Sequence, residues 1–277
     1  MKFMQVVFVA AAFLSQSAWS GAEPEIVFLG DNARVGLLKQ CAAKCKSVGG
    51  SVGTPEIGSQ ASGVASFSKQ AKHAVIVVDA TQGPLPITRE HIQIARQAGV
   101  PSLSIMFVNM AGLEGMSDAG ELVELEEMEV RELMNAYEMK GDMAKVFHDA
   151  SIRSIPKLHT NGVGLSNALN TIATVPPRNS HPVKYVTARK ISSYLYLLSP
   201  QESPKSVALN RGSKVTVWVN GQVVSGVVTS AQALSPGDNG ELSLEFGSAV
   251  TAAEGSRFLI ERDGRIVAMG VVVRVGG

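Results

Sequence analysis

The apolar positions of residues 24–175 form short unbroken runs that alternate with helical patterns. Residues 25–29, 74–79 and 102–108 are such runs, and each has the length of a strand. Continuous apolar strands separated by helices are typical of a parallel sheet that is covered on both faces. A last helix is predicted over residues 164–172. We therefore expect an α/β domain over residues 23–175.

Two of the predicted helices carry recognisable ends. Thr88 is a candidate N-cap for a helix that runs to Ala98, with Gly99 as its terminator and Pro101 just beyond. Asp118 is a candidate cap for the next helix. The apolar residues of that helix share one face at helical spacing: Val123, Val130, Leu133, Met134 and Tyr137. Its glutamates mostly face the other way, as on a solvated surface.

The pattern changes after a Pro-rich linker, residues 176–182 (PPRNSHP). Strand patterns follow in pairs, joined at residues 220–221 (Asn-Gly) and 263–264 (Asp-Gly). These dipeptides are strong hairpin signals, because both turn positions need positive φ. The last hundred residues therefore predict a small antiparallel barrel or sandwich. We place the linker at residues 176–189 and this second domain at residues 190–277.

The N-terminus has the layout of a secretory signal peptide. Lys2 precedes the apolar residues 3–14, and small residues surround Ser20 and Ala22, where cleavage is expected. The alternatives are an apolar β-strand or a false start codon. The signal peptide, residues 1–22, predicts a bacterial protein that is periplasmic or secreted. No later stretch is apolar for long enough to span a bilayer, so no membrane span is expected in the mature chain.

The charge and the cysteine and histidine content of the chain do not indicate a specific ligand or metal. Removing Lys2 from the 25 basic and 24 acidic residues leaves 24 of each, so no basic field favours nucleic acid. Cys41 and Cys45 are four residues apart, which on a helix orients them poorly for a disulfide. They are interpreted as buried structural thiols, with a redox pair as the alternative. The five histidines are scattered without metal-ligand spacing, and no metal site is expected.

Two segments of the chain resemble elongation factor Tu. The first comprises residues 78–91 (VDATQGPLPITREH), 95–101 (ARQAGVP) and 126–133 (EEMEVREL). The second resembles the third domain of that family and comprises residues 235–239 (SPGDN), Arg257-Phe258 and residues 270–272 (GVV). The resemblance implies a P-loop GTPase-like parallel sheet with helices on both faces, followed by a small antiparallel β-barrel. The middle domain of the family is missing between them.

The resemblance places the phosphate loop at residues 30–38 (GDNARVGLL). With Gly36 as the second glycine and one residue inserted, Leu37 and Leu38 stand where the family has its Lys and Thr. Those two residues pair the phosphate charge and hold magnesium. Arg34 offers some positive charge at the start of the helix. The segment is therefore either a residual phosphate site or a plain strand-to-helix turn.

The remaining family motifs are also altered. The magnesium-linked aspartate corresponds to Gly53 and the catalytic histidine to Ile57, which cannot orient a water molecule. In the guanine-reading motif Asn109 is kept, but Lys is replaced by Met110 and Asp by Gly112. GTP hydrolysis is therefore not expected, and neither GTP nor magnesium is expected as a cofactor. No catalytic residue is assigned, and the vestigial nucleotide positions are Gly30, Arg34, Gly36 and Asn109.

Two main functions remain open at this stage. The first is a pseudo-GTPase that acts as a non-catalytic binding or interaction protein outside the cytoplasm, with an unknown protein partner. Without the middle domain the aminoacyl pocket cannot form, so tRNA is not an expected partner, and uncovered apolar surface favours a homodimer or a bound partner. The alternative is a divergent GTP-binding translation factor in the cytoplasm. A decaying duplicate without a role is a third reading.

Overall fold

The computed structural model describes residues 24–41, 51–149, 164–174 and 183–276. The predicted signal peptide, the linker residues 176–182 and Cys45 lie outside these ranges. The first domain contains strands and helices in alternation: β1 (Ile26–Gly30), α1 (Ala33–Cys41), β2 (Val52–Gly53), α2 (Ala61–Ser68), β3 (His73–Asp79), α3 (Pro86–Ala98), β4 (Leu103–Val108), α4 (Ala119–Ala136), β5 (Lys145–His148) and α5 (Gly164–Ala173).

The described strands of the first domain form a parallel sheet in the order β2-β1-β3-β4-β5. β1, β3 and β4 are buried at every position, as their mostly apolar sequences predict. Val27, Ile76 and Ile105 pack in one cluster with α2, α3 and α4. Ile26 and Val75 pack on the opposite face with α1 and α5. The prediction of a parallel sheet with helices on both faces is confirmed.

The second domain is a closed antiparallel barrel in the order β10-β11-β6-β9-β8-β7. Its strands are β6 (Val186–Leu197), β7 (Lys214–Val219), β8 (Gln222–Val228), β9 (Asn239–Ala252), β10 (Arg257–Arg262) and β11 (Arg265–Val275). Both predicted hairpins are present, with φ of 50° at Asn220 and 49° at Asp263. The first strand begins at Val186, within the segment predicted as linker. The sequence predicted either a barrel or a sandwich, and the structure is a barrel.

The two domains share one hydrophobic cluster, which the sequence does not predict. Trp218 of β7 is 2% exposed and packs with the residues of α2, and its indole N–H donates to Ser66 Oγ at 2.9 Å. The side-chain amide of Gln97 on α3 donates to the backbone carbonyls of Phe258 and Gly270, on the neighbouring strands β10 and β11. The barrel is therefore packed directly on the helical face of the sheet.

Two local predictions need correction. Helix α3 begins at Pro86 with Leu85 as its N-cap, so Thr88 is the third helical residue, and its hydroxyl accepts from the Leu85 amide. Proline fits the first helical turn because it has no amide to leave unpaired there. Asp118 stands at the N-cap of α4 but makes no capping hydrogen bond from its side chain. Gly99 ends α3 with φ of 75°, as predicted.

The interpretation of Cys41 as a free thiol is wrong. Cys41 is fully buried and disulfide-bonded, and the chain contains only one other cysteine. The argument from spacing assumed that both cysteines lie on one regular helix.

No helix of the described residues combines the length and the hydropathy needed to cross a membrane.

Candidate functional site

The strand ends at the carboxyl edge of the sheet are the candidate site, since parallel α/β sheets bind ligands at this edge. β1 ends at Gly30, and α1 begins at Ala33 after only two connecting residues. Gly36, which the sequence matched to the second glycine of a phosphate loop, therefore lies inside α1. A helix N-terminus that follows a strand in this way is a favourable place for an anion.

Two side chains of the chain itself occupy the start of α1. The Asp31 carboxylate accepts a hydrogen bond from the Ala33 amide at 2.7 Å. The Arg34 guanidinium turns back and donates to the carbonyl oxygens of Gly30 and Asp31, both at 3.2 Å, and to Asn32 Oδ1 at 2.9 Å. Arg34 is only 2% exposed, and burial lowers its pKa while Asp31 raises it. An internal anion and cation thus satisfy the groups that a phosphate would contact.

Gly30 is required by the close approach of β1 to β3. Its φ is 89°, and a Cβ at this position would lie 2.3 Å from the carbonyl oxygen of Val77. The Gly30 amide donates to Nδ1 of His91 at 2.8 Å. Because it is turned into this bond and capped by a buried imidazole, the amide is not free for a ligand. The close approach of β1 to β3 therefore requires a glycine at position 30, and this requirement is separate from phosphate binding.

His91 is a member of this site that the sequence did not identify. It is 3% exposed on α3, and burial, together with the charges of Arg34 and Arg265, lowers its pKa to about 3. The ring is thus neutral at physiological pH. Since Nδ1 accepts from the Gly30 amide, the ring proton is carried by Nε2. Only the fold brings residue 91 to residue 30, and no local signal could have revealed it.

The segment that corresponds to the family's metal and catalytic motif is packed against its surroundings. A Cβ at Gly53 would lie 2.9 Å from the Phe67 ring and 3.2 Å from Pro24. The Thr54 hydroxyl donates to the Phe28 carbonyl at 2.9 Å. Ile57 is 57% exposed. A Cβ at position 53 would meet the tip of the Phe67 ring, so an aspartate there would require this ring to move.

The end of β4 holds Asn109 by bonds within the chain. Its φ is 59°, and its side-chain amide donates to Asp79 Oδ2 at 2.7 Å. Burial would raise the pKa of Asp79, but hydrogen bonds from Thr81, Asn109 and Gln82 outweigh it and lower the pKa. A Cβ at Gly112 would lie 2.6 Å from the methyl carbon of Thr81. The position of the guanine-reading carboxylate is therefore blocked by a neighbouring side chain.

Glu126 of α4 adds a second carboxyl beside Asp79. Burial, followed by the charges of Asp79 and Glu129, raises the pKa of Glu126 to about 7. Its Oε2 is buried and has no hydrogen-bond partner among the described residues. This raised pKa favours the protonated form of Glu126, which limits the repulsion between the two carboxyls. This pair lies within the same edge of the sheet as Asn109.

The structure brings Gly30 and Arg34 together, places Gly36 in a helix, and engages Asn109 with Asp79. Within the described ranges, no group of three or more His, Cys, Asp or Glu side chains is arranged to hold a metal ion.

A comparison with known families agrees with this architecture. The model of the elongation factor Tu GTP binding domain matches residues 62–194. The matched segment runs from α2 through the sheet domain into β6, the first strand of the barrel. A parallel sheet with helices followed by a closed barrel is the arrangement of the GTP-binding domain and a barrel domain of that family. Residues 62–194 are therefore similar to the GTP binding domain of elongation factor Tu, and the chain has a GTPase-like fold.

Proposed function

We propose that this chain is a pseudo-GTPase that acts as a non-catalytic binding or interaction protein outside the cytoplasm. One observation carries the proposal: Asp31 and Arg34 occupy the N-terminus of α1, where a nucleotide phosphate would bind. A phosphate entering there would displace the Asp31 carboxylate and leave carbonyl oxygens without their guanidinium donor. Unpaired buried polar groups each cost about 1–3 kcal/mol.

The base and metal positions support the same proposal. A carboxylate that reads guanine cannot stand at Gly112 without moving Thr81, and the Asn109 amide already serves Asp79. At Gly53 a magnesium-linked aspartate would require the Phe67 ring to move. The residues present therefore do not fit a magnesium-bound guanine nucleotide. Kinship of fold does not transmit an activity whose site is filled.

A role in binding is supported by apolar surface on the barrel. Val207, Val223 and Val227 line a groove of about 740 Å³ and are each more than a third exposed. Exposed apolar surface of this kind gains free energy when a protein covers it. The identity of the protein that binds is left to experiment.

The location outside the cytoplasm is supported by two features. The N-terminal residues have the layout of a signal peptide, and Cys41 is disulfide-bonded, which is typical of an oxidising compartment. Expression of the full chain in a bacterial host, followed by fractionation, tests this part. We expect the protein in the periplasm or the medium, shortened by about 22 residues and resistant to thiol alkylation. A cytoplasmic protein of full length with reactive thiols would contradict it.

We expect no binding of guanine nucleotides to the mature chain. Calorimetric titration of residues 23–277 with GDP and with GTP, each in the presence of magnesium, should give no saturable heat at millimolar nucleotide. This corresponds to a dissociation constant weaker than about 1 mM, or less than about 4 kcal/mol of binding free energy. The physical reason is that the phosphate, metal and base positions are all filled by the chain itself.

Elongation factor Tu titrated under the same conditions is the positive control for nucleotide and magnesium. Saturable binding by residues 23–277 would contradict the proposal and restore the alternative of a GTP-binding protein. Arg34 and Asn109 would then be the first residues to replace.

A further inference from the structure

The first residues of β6 have a neighbouring strand on one side. Residues 186–188 pair with β9 on that side. On the other side β11 accompanies β6 as far as Ile191, and the Gly276 amide then donates to the Lys190 carbonyl oxygen at 2.9 Å. Beyond this bond no described strand lies beside residues 186–189 on that side. We call this unpaired side of residues 186–189 the open edge, and such an edge can pair with another chain.

The backbone groups of Thr187 point to the open edge. Thr187 lies opposite Thr251 of β9, and the two hydroxyl oxygens are 3.0 Å apart. On the side away from β6, the Thr251 amide donates to Gln222 Oε1 at 2.7 Å and its carbonyl accepts from the Asn220 side chain at 3.2 Å. Opposite residues of an antiparallel pair either bond to each other or both face away. The amide and carbonyl of Thr187 therefore face away from β9.

More cations than carboxylates surround the open edge. Lys184 and Arg189 are exposed, and neither has an ion-pair partner within the described ranges. Lys190 lies 3.6 Å from Glu245. Glu254 lines the same pocket as Lys184. Three cations thus stand against two carboxylates, and the two unpaired cations favour a partner that carries acidic groups.

A pocket of about 470 Å³ adjoins the open edge. Val183 and Val186 line it at the start of β6, and Val275 lines it at the end of β11. Val183 is 49% exposed and Val186 is 40% exposed. A strand added along β6 would continue the line that β11 leaves at Val275, so one of its side chains would reach this pocket. An apolar side chain would bury its surface there.

A second copy of the chain fits the open edge poorly. Antiparallel pairing of two copies about Thr187 would place Lys184 opposite Lys190 of the second copy. Like charges that stand directly opposite each other destabilise a strand pair. A segment that carries carboxylates at these positions replaces the repulsion by attraction.

We propose that the open edge binds an extended acidic segment of a partner protein as an added strand. The segment would exchange backbone hydrogen bonds with Thr187, place carboxylates near Lys184 and Arg189, and insert an apolar side chain between Val186 and Val275. Backbone bonds of this kind supply affinity, and the side chains supply specificity. The inference rests on the proposed role in binding and specifies the chemistry of the partner. It is independent of the nucleotide titration, so its failure would leave the absence of nucleotide binding as it stands.

A fluorescently labelled peptide of alternating glutamate and valine, Glu-Val-Glu-Val-Glu-Val-Glu with blocked ends, is a suitable probe. Fluorescence anisotropy with residues 23–277 should show saturable binding below about 1 mM. A peptide with lysine in place of every glutamate should bind at least about 10-fold more weakly because of repulsion. A peptide with proline at its centre should also bind more weakly, since it lacks a backbone donor. No binding of the acidic peptide, or equal binding of the acidic and basic peptides, would overturn the proposal.

Two variants locate the binding site. Thr187→Pro removes an amide that is not bonded to β9 and should weaken binding about 5- to 10-fold, as for one lost hydrogen bond. Arg189→Glu should weaken the acidic peptide about 10-fold and strengthen the lysine peptide. Lys214→Glu is the matched control, because Lys214 is exposed on β7 and lines the separate groove of the barrel. Circular dichroism checks that all three variants fold. Unchanged affinity in Thr187→Pro, or equal losses in Arg189→Glu and Lys214→Glu, would contradict the proposed site.

Sedimentation of residues 23–277 without peptide distinguishes the acidic segment from a second copy of the chain. We expect no dimer that depends on the open edge, because Lys184 would meet Lys190 of the second copy. A dimer that dissociates in Thr187→Pro would show that a second copy occupies this edge, and it would overturn the proposal.

Discussion

Gly30→Ala is expected to lower the free energy of unfolding by about 3 kcal/mol, from a strained positive φ and a steric clash combined. The new Cβ would lie 2.3 Å from the Val77 carbonyl oxygen, which is backbone and cannot rotate away. β1 pairs with β3 at this point through Gly30 and Val77, so relief of the clash would open the centre of the sheet. The hydrogen bond from the Gly30 amide to His91 would be strained at the same time.

Chemical denaturation of residues 23–277, followed by circular dichroism, measures this effect. Gly36→Ala is the matched control, because nothing lies within 4 Å of a Cβ at Gly36 and the residue is inside α1. That replacement should raise stability by about 0.5–1 kcal/mol, as alanine does in a helix. Similar stabilities for the two variants would mean that β1 and β3 are not as close as described.

Trp218→Ala is expected to cost about 4 kcal/mol and to loosen the contact between the two domains. Trp218 belongs to the barrel by sequence, yet its side chain is buried among the core residues of the sheet domain. Its removal leaves a large cavity at the domain boundary and deprives the Ser66 hydroxyl of its donor. The wild-type protein should unfold in one transition, whereas this variant should lose that cooperativity.

Trp218→Phe is the control for this experiment. It keeps most of the apolar surface and removes the bond to Ser66, so it should cost only about 1–2 kcal/mol. Residues 23–277 contain Trp218 as their single tryptophan, because the other is Trp19, and its fluorescence therefore reports directly on the domain boundary. A wild-type protein whose fluorescence changes well before its circular dichroism would contradict the description of a tightly packed boundary.

The elements with a strong local signal were predictable from the sequence. β3 and β4 are mostly apolar, because both of their faces are buried; polar residues stand only at the ends of β3, as His73 and Asp79, and at Ser104 in β4. The turns at Asn220 and Asp263 were predictable because positive φ selects those residues. The end of α3 at Gly99 follows from the same preference for left-handed geometry.

The candidate site was less predictable, because its contacts join residues that are distant in sequence. Gly30 meets His91 across 61 residues, and Gln97 meets Gly270 across 173. The local sequence around a tryptophan is the same whether its side chain is exposed or packs against another domain. The contact of Trp218 with the sheet domain could therefore not be inferred. The disulfide at Cys41 was missed because the spacing of the cysteines was interpreted on a regular helix.

The contact between Thr81 and Gly112 has an evolutionary consequence under the proposed function. Restoring an aspartate at position 112 alone would place its Cβ against the Thr81 methyl group, which lies 2.6 Å away. Replacing Thr81 by a residue without a hydroxyl would remove the 2.7 Å hydrogen bond that Thr81 Oγ1 donates to Asp79, whereas the 2.9 Å bond from the Thr81 backbone amide would remain. The clash comes from the methyl carbon alone, so Thr81→Ser would remove it and keep both bonds to Asp79. Reversal therefore depends on the order of substitutions, because the change at position 81 has to precede an aspartate at position 112.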